Sequence, residues 1–211
     1  MDKLTPRDDM AVQIVFVRHG ESYGNIGLPT PEGYSEEDTP LTEYGLKQAE
    51  ALADYWFDGI DIATIFASPF SRTIQTIYPT AQKLGKPIVL SPDLLEVGST
   101  VCGADTGRIT ADFPLCIPCP NKPLPVPETE EQKIARAKRF IAFIADSYKS
   151  GETVVVATHG TFFSYLVRAA LNAEGINCFN SQIDNSAITV VALRKNEPPL
   201  LRTANNTSHL K

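Results

Sequence analysis

The sequence predicts an α/β fold, a three-layer sandwich with a mostly parallel central sheet and helices on both faces. The main observation is that apolar, β-branched segments alternate along the chain with segments of helical periodicity, a pattern typical of parallel sheets. Of the 211 residues, 43% are hydrophobic and 21% are charged, so the chain can bury a sizeable core and has a globular composition. We therefore expect one domain over residues 1–211.

The first part of the chain predicts a buried strand, a loop and a helix. Residues 12–17 are mostly apolar and β-branched, and the run stops at Arg18, which indicates a buried strand. Residues 20–40 are rich in Gly, Pro and acidic residues and are expected to form an exposed loop. Apolar or small residues recur at helical spacing over residues 41–57, and Thr42 is placed to cap this helix.

A second strand and helix follow. Residues 63–67 predict a short strand. Ser68 and Pro69 then supply an N-cap and a proline at the first helical position, so a helix is predicted from there to about Leu84. Residues 87–90 predict a further short strand.

Residues 91–127 contain seven prolines and no clear periodicity. This predicts a long loop or small cap at about residues 97–127, and loops of that length in compact domains are usually binding elements or disordered segments. Cys116 and Cys119 have a spacing found in metal and redox sites. No second Cys or His pair lies nearby in the sequence, so we expect ordinary free thiols.

The C-terminal half continues the alternation. Thr129 and Gln132 form a capping-box pattern at the start of an amphipathic helix. Residues 153–157 predict a buried strand, residues 162–171 a helix and residues 187–193 the last strand. The tail from Glu197 onward is polar and is expected to be frayed.

The net charge of −6 argues against binding of nucleic acid or of a membrane surface, because such proteins usually carry basic stripes. It does not exclude an anionic substrate, which a few converging arginines can hold. No segment approaches the roughly 20 apolar residues of a membrane helix, and the first ten residues lack the apolar core of a secretory signal. A cytoplasmic location is therefore expected, and a homodimer stays open.

Two of the three histidines stand directly after the strongest strand patterns. Arg18 alone separates His19 from the predicted strand at residues 12–17, and Thr158 alone separates His159 from the strand at 153–157. A glycine follows each histidine. In parallel sheets, ligands bind outside the carboxyl ends of the strands, so these side chains are expected to meet in one site. His209, in the tail, is expected to be incidental.

Five ordered motifs carry a family resemblance. They are Arg-His-Gly-Glu-Ser-x-x-Asn at residues 18–25, Leu-Thr-x-x-Gly-Leu-x-Gln-Ala at 41–49, Ser-Pro-x-x-Arg-Thr-x-Gln-Thr at 68–76, Leu-Glu at 95–96 and Thr-His-Gly at 158–160. Together they resemble the phosphoglycerate-mutase-like branch of the histidine phosphatase superfamily, in the family order from residue 14 to about residue 193. The resemblance implies an enzyme that needs neither a metal ion nor a cofactor.

The resemblance also implies a role for each site residue. His19 is the nucleophile that becomes phosphorylated, with its second ring nitrogen held by a backbone carbonyl near Gly20, and Glu96 is the acid that protonates the leaving group. Arg18 and Arg72 neutralise the phosphate, since a guanidinium donates two parallel hydrogen bonds. The further expected phosphate donors are His159 in its charged form, Asn25 and the backbone N–H groups of Gly160 and Thr161.

Some roles and the reaction itself stay open. Glu21 is a weaker candidate for the acid, and Ser22 is expected to make only a local hydrogen bond. A cofactor-dependent phosphoglycerate mutase holds the substrate carboxylate with extra basic residues, whereas residues 97–127 offer only Arg108 and Lys122. We therefore prefer a phosphomonoesterase acting on a small phosphorylated metabolite. The mutase, and a catalytically silent protein that binds a phosphorylated ligand, stay as alternatives.

Overall fold

A computed structural model describes residues 11–99, 109, 111–118, 127–173 and 182–211. Among these residues the strands are β1 Ala11–Arg18, β2 Thr64–Ala67, β3 Ile88–Leu90, β4 Cys116–Ile117, β5 Thr153–Thr158, β6 Ile188–Arg194 and β7 Leu200–Asn206. The α-helices include α1 Tyr23–Ile26, α2 Glu43–Trp56, α3 Ser71–Leu84, α4 Glu130–Ser147 and α5 Gly160–Ala170. Short 3-10 helices cover Pro92–Leu94 and Ser208–Leu210.

The strands form one sheet in the order β4-β3-β2-β5-β1-β6-β7. Every neighbouring pair from β4 to β1 is parallel, and β6 and β7 are added antiparallel at one edge. In the centre of the sheet, Val15 of β1 lies opposite Val155 of β5 on one side and Val190 of β6 on the other. The predicted mostly parallel sheet is confirmed.

Helices cover both faces of this sheet, because successive side chains of a strand point to opposite sides. Val15 belongs to a buried cluster that includes Leu52 of α2 and Ile77 of α3. Its neighbour Phe16 belongs to the cluster on the other face, where its ring centroid lies 5.8 Å from that of Phe163 of α5, and α4 packs there too. The predicted three-layer arrangement is therefore confirmed.

Two helices begin where the sequence predicts. Thr42 is the N-cap of α2, and its hydroxyl accepts a hydrogen bond from Gly45 N at 3.0 Å. Thr129 caps α4 in the predicted capping box: Gln132 N donates to the Thr129 hydroxyl at 3.3 Å, and Thr129 N donates to Gln132 Oε1 at 2.8 Å. These side chains satisfy backbone N–H groups that a helix leaves unpaired in its first turn.

The predicted start of α3 is wrong. The helix begins at Ser71 rather than at Pro69, and its N-cap residue is Phe70. The carboxylate of Asp38 accepts hydrogen bonds from Ser71 N at 2.6 Å and from the Ser71 hydroxyl at 2.8 Å. The Ser68 hydroxyl, which was expected to cap the helix, lies 2.8 Å from a ring nitrogen of His159 instead.

The prediction of a frayed tail is also wrong. Leu200–Asn206 forms β7, so the predicted strand at residues 187–193 is not the last one. The left-handed backbone of Asn196, with φ of 64°, belongs to the turn that joins β6 to β7. The polar residues that suggested fraying are those of an edge strand that is partly exposed to solvent.

The predictions of loops at residues 20–40 and 91–127 are partly wrong. Residues 24–29 are exposed as expected, but both ends of the 20–40 segment are buried, including Ser22 and Asp38. Within residues 91–127, Cys116–Ile117 forms the edge strand β4, which pairs parallel with β3. The rest of the predicted cap lies largely outside the described residues, as do Arg108, Lys122 and Cys119.

Cys116 is a buried free thiol. Burial raises its pKa to about 12, so it is unreactive at neutral pH. Over the part of the chain that the structure describes, no helix has both the length and the apolar character needed to cross a membrane.

Candidate active site

The carboxyl ends of β1 and β5 and the first turns of α3 and α5 surround an open cavity of about 580 Å³. This is the edge at which ligands bind in parallel α/β sheets. Most of the predicted site residues line it, namely Arg18, His19, Asn25, Arg72, Glu96, Gly160 and Thr161. His159 lies directly behind His19, with a distance of 5.4 Å between the ring centroids.

His19 is almost fully buried at the end of β1. Its Nδ1 lies 2.7 Å from the carbonyl oxygen of Gly20, and because a carbonyl only accepts, Nδ1 carries the proton and Nε2 presents a lone pair. Burial first, and then the positive charge of Arg72, lower the pKa of His19 well below its ordinary value, against the opposing effect of the Gly20 bond. The ring is therefore neutral at pH 7, as a nucleophile requires.

His159 is fully buried as the N-cap residue of α5. Its Nε2 lies 2.8 Å from the Ser68 hydroxyl. Burial and the charge of Arg72 lower the pKa of His159 well below its ordinary value. Without a bound anion, the low-dielectric surroundings and the neighbouring cation favour the neutral ring. That His159 donates to phosphate in its charged form stays a prediction. Within the described chain, its Nδ1 is buried and has no hydrogen-bond partner.

Two guanidinium groups face the same cavity. Nη1 of Arg18 donates to the carbonyl oxygen of Ile183, and its Nε is buried with no hydrogen-bond partner among the described residues. Nη1 of Arg72 donates to the carbonyl oxygen of Glu37 at 2.9 Å, and its guanidinium lies 4.7 Å from the centroid of the Phe70 ring. Burial lowers the pKa of both arginines, but an arginine stays charged at neutral pH.

Glu96 also lines the cavity, and its carboxylate is held by three backbone N–H groups. Oε1 accepts from Val97 N at 2.9 Å and from Phe162 N at 2.8 Å, and Oε2 accepts from Thr161 N at 3.1 Å. In this structure the Thr161 N–H donates to Glu96, and its role as a phosphate donor stays a prediction. These bonds place the carboxyl group at the N-terminus of α5, where the helix dipole favours negative charge.

The alternative acid, Glu21, does not reach the cavity. Its Oε1 accepts from the Thr42 hydroxyl at 2.8 Å, and its backbone N donates to Gln48 Oε1 at 2.8 Å. These contacts hold Glu21 against α2 and its N-cap residue, and Glu21 is not among the described residues that line the cavity. Ser22 does make the local hydrogen bond that was expected, from its backbone N to Asn25 Oδ1 at 3.1 Å.

One residue that the sequence did not indicate, Asn185, joins the pieces of the site. Its Nδ2 lies 3.1 Å from the carbonyl oxygens of both His19 and Gly20 and 2.9 Å from Asn25 Oδ1. Because Oδ1 of Asn25 accepts, the Nδ2 group of Asn25 is the part of its side chain that is available as a donor to phosphate.

Gly160 permits a close approach between α5 and Arg18. A Cβ atom on Gly160 would lie 3.1 Å from Nε and 3.3 Å from Cζ of Arg18, closer than most Cβ contacts in proteins. Glycine at this position therefore allows the guanidinium to lie against the first turn of the helix.

The lining of the cavity is mixed in charge. Besides the two arginines and Glu96, it includes the carboxylates Glu36 and Glu37 and the polar side chains of Thr39, Tyr165 and Gln182. In the described ranges, no group of three His, Cys, Asp or Glu side chains is placed to hold a metal ion.

Comparison with known proteins places this geometry in context. The family model described as the histidine phosphatase superfamily (branch 1) matches residues 14–206. A Schizosaccharomyces pombe protein named as a probable phosphatase is 28% identical over 171 residues, which cover 78% of this chain and 58% of that protein. The chain spans little more than half the length of that protein and of other curated relatives that it matches.

A phosphoglycerate mutase of Thermoplasma acidophilum that depends on 2,3-bisphosphoglycerate is 33% identical over 100 residues, which cover 47% of this chain and 46% of the mutase. Among solved structures, a phosphoserine phosphatase of Entamoeba histolytica in complex with phosphoserine aligns with a TM-score of 0.68 at 20% identity, covering 95% of this chain and all of that one. At that identity the alignment shows a shared fold.

Proposed function

The chain belongs to the histidine phosphatase superfamily, and from this we propose that it is a phosphomonoesterase that acts through a phosphohistidine on a small phosphorylated metabolite. The observation that carries the proposal is the state of His19. Its Nδ1 is fixed by Gly20, so a neutral ring presents the Nε2 lone pair at a cavity that two half-buried arginines also line. Such a cavity binds a phosphate dianion beside a ready nucleophile.

In the first step, Nε2 of His19 attacks phosphorus and forms the P–N bond. The P–O bond to the organic group breaks, and the departing oxygen takes a proton from the Glu96 carboxyl group to give an alcohol. Oε1 of Glu96 already accepts two N–H bonds and Oε2 accepts one, so Oε2 is the oxygen with a lone pair left to carry this proton.

In the second step, water attacks the phosphorus of the phosphohistidine. The Glu96 carboxylate takes a proton from this water, the P–N bond breaks, and its electron pair returns to Nε2 of His19. The products are inorganic phosphate and the original enzyme, so no metal ion or redox partner is needed to balance the reaction.

The buried nitrogen atoms at the site support phosphate binding. Arg18 Nε and His159 Nδ1 are both buried and lack partners in the described chain. If the Ser68 hydroxyl donates to His159 Nε2, the ring proton lies on Nδ1, and a neutral His159 can then donate to phosphate. A phosphate dianion beside His159 also favours its charged form, the state expected from the sequence.

The lining of the cavity favours a phosphatase over the mutase. A mutase must hold the carboxylate of phosphoglycerate, yet beyond Arg18, Arg72 and Glu96 the charged groups of the described lining are the carboxylates Glu36 and Glu37. Like charges repel, so we propose that the organic part of the substrate is uncharged or cationic. The cytoplasmic location stays a prediction. The sequence leaves a homodimer open, and sedimentation of the full chain tests it.

The test is an assay of the purified chain in EDTA with p-nitrophenyl phosphate, glycerol 3-phosphate and 3-phosphoglycerate, beside the His19→Ala variant. Glycerol 3-phosphate has a hydroxymethyl group where 3-phosphoglycerate has a carboxylate, so comparing these two substrates isolates the effect of charge. We expect phosphate release that survives EDTA, a higher kcat/KM for glycerol 3-phosphate, loss of activity in His19→Ala, and an acid-labile phosphoenzyme in the wild type only.

Other results identify the alternatives. Isomerisation of 3-phosphoglycerate in the presence of 2,3-bisphosphoglycerate, without phosphate release, would make the chain a mutase. Binding of inorganic phosphate with no turnover and no phosphoenzyme would make it a silent member. Activity that EDTA abolishes and added metal restores would contradict the metal-independent mechanism.

A further inference from the structure

A buried arginine on α4 lies beneath the proposed acid, and we infer that Arg136 is a positioning residue for Glu96. This inference rests on the proposed function, because the placement of Glu96 affects the rate only if Glu96 transfers a proton. Arg136 has 1% of its surface exposed and is among the largest fully buried side chains described.

The first contact of Arg136 fixes its orientation. Nε donates to Glu128 Oε1 at 2.9 Å and Nη2 donates to Glu128 Oε2 at 2.7 Å. This bidentate pair sets the plane of the guanidinium, because two parallel hydrogen bonds leave no free rotation. Glu128, which is itself buried, therefore acts as an anchor on one edge of the group.

The other edge holds the backbone that carries Glu96. Nη1 of Arg136 donates to the carbonyl oxygen of Leu95 at 2.8 Å and to that of Asp93 at 3.1 Å. The Leu95 carbonyl belongs to the peptide bond that joins Leu95 to Glu96. These carbonyls lie at the end of the Pro92–Leu94 turn, where a short helix leaves its acceptors unpaired. Arg136 thus fixes the point at which the Glu96 side chain begins.

The flat face of the guanidinium supports the other end of Glu96. Cζ of Arg136 lies 3.6 Å from the centroid of the Phe162 ring, close enough for a strong cation–π contact. The backbone N of Phe162 donates to Glu96 Oε1 at 2.8 Å. One guanidinium therefore contacts both the chain and the residue that hold the carboxyl group in place.

Stability alone does not account for such a pair. Removing two charges from water is costly, and replacing a buried ion pair by apolar side chains of similar size is often neutral or stabilising. Placement of a reacting group is different, because a carboxyl group displaced by about 1 Å can lose two orders of magnitude in rate. The geometry therefore assigns Arg136 a role in the placement of Glu96.

The test uses the full chain and aryl phosphates of similar size whose leaving phenols differ in acidity, from p-nitrophenyl phosphate to p-methylphenyl phosphate. A strongly acidic phenol leaves without protonation, so its release does not need Glu96. We expect Arg136→Met to lower kcat/KM for the poor leaving group by at least about tenfold and to leave kcat/KM for p-nitrophenyl phosphate within about threefold, as in Glu96→Gln. The comparison uses kcat/KM because this parameter reports the first phosphoryl transfer and not the later hydrolysis, in which Glu96 also takes part.

Arg139→Met is the matched control. Arg139 lies on the same helix and pairs with the carboxylate of Asp93 at 2.6 Å, but its side chain is half exposed. We expect it to keep the wild-type dependence on the leaving group. If Arg136→Met does not fold, the double variant Arg136→Met, Glu128→Leu removes both buried charges and is measured in its place.

The outcomes separate the inference from the proposed function. A wild type that hydrolyses no aryl phosphate defeats the proposed function and this inference with it. If the wild type is active and Arg136→Met loses activity equally on all aryl phosphates, or loses none, the positioning role alone is overturned. The same conclusion follows if Arg139→Met shows the same dependence on the leaving group as Arg136→Met.

Discussion

Most hydrogen-bonding groups around the nucleophile already bond one another, so only a few atoms remain to bind a phosphate. The Gly20 carbonyl accepts from His19 Nδ1 and leaves Nε2 to react. Asn25 Oδ1 accepts from Ser22 N and from Asn185 Nδ2, which leaves the Asn25 amide nitrogen as a donor. Because these bonds exist before any substrate binds, the site needs little reorganisation during the reaction.

Asn185 is the residue whose loss tests this network. Asn185→Ala removes a donor shared by the His19 and Gly20 carbonyls and by Asn25, so the ring of His19 is expected to lose its fixed orientation. We expect kcat/KM for p-nitrophenyl phosphate to fall by roughly tenfold or more, with kcat affected more than KM. Steady-state kinetics measure this, and circular dichroism checks the fold.

Asn206→Ala is a control for this change. Asn206 also lies in the C-terminal part of the chain, but its described contacts are with Thr203 and Ser208 rather than with the site. An Asn185→Ala variant with wild-type kcat, or one whose loss equals that of Asn206→Ala, would show that Asn185 does not support the nucleophile.

The sequence indicates His19 and His159 but not Asn185, and the reason is topological. Each histidine stands at the carboxyl end of a parallel strand, where strand patterns alone predict a site. Asn185 stands at the start of a strand instead. It reaches the site because β6 runs antiparallel to β1, which brings Ile188 opposite Val17. Strand direction at a sheet edge cannot be deduced from apolar periodicity.

The two helices that begin at the cavity use their N-termini differently. α3 brings Arg72 to the cavity from its first turn, and its N-terminal Ser71 is bound by Asp38. α5 donates two of its first N–H groups to Glu96. A carboxylate therefore occupies the anion-binding end of each helix, so the phosphate relies on side chains more than on backbone donors.

Gly160, the first residue of α5, links that helix to Arg18. Gly160→Ala places a methyl group 3.1 Å from Arg18 Nε, so the guanidinium must move away from the helix. Alanine is also the better helix former, by up to about 1 kcal/mol, so we expect the melting temperature to be unchanged or higher. We expect KM for p-nitrophenyl phosphate to rise several-fold. Thermal unfolding and kinetics on the same preparation test both parts.

A lower melting temperature with an unchanged KM would contradict this account, since it would show a packing defect rather than a displaced arginine. Gly59→Ala offers a comparison far from any such contact. No heavy atom lies within 4 Å of its added Cβ, but its φ of 70° disfavours alanine, so it should lose stability and keep its KM.

Elements with strong periodicity were predictable, and those that depend on distant partners were not. The α2 and α4 caps are local, because the capping side chain lies within three residues of its partner. The α3 cap comes from Asp38, more than 30 residues earlier, and nothing in residues 68–71 indicates it. β4 has two residues and gains its strand geometry only by pairing with β3. The residues near the start of α3 do not include Asp38, and the residues of β4 do not include their partners in β3, so neither local sequence reveals the structure.

The C-terminal segment extends the sheet at one edge and supports the site from behind. Asn205 Nδ2 donates to Asp184 at 2.9 Å, and Asp184 N donates back to Asn205. His209 is buried, lies 2.8 Å from the Ser186 hydroxyl and accepts from Trp56 Nε1 at 3.1 Å. His209 is not among the described residues that line the cavity, but it has a structural role that the sequence did not indicate. It joins α2 to the segment that carries Asn185.

We expect the burial of His209 to make the stability of the whole molecule depend on pH. Burial lowers the pKa of His209 to about 4 in the folded chain, from an ordinary value of 6.5. Between these values the unfolded chain binds a proton that the folded chain does not, so protonation favours unfolding. The stability is fully present above about pH 6.5 and falls as the pH drops towards 4, by up to about 3 kcal/mol for this residue.

His209→Gln isolates this contribution from those of His19 and His159, whose pKa values are lowered in the same direction. We expect the variant to be less stable than the wild type at pH 7.5, because Trp56 and Ser186 lose their shared partner. The difference in free energy of unfolding should shrink as the pH falls to 4.5, measured by urea titration at each pH. A difference that stays constant would show that His209 is protonated equally in both states and that its burial does not control the acid stability of the chain.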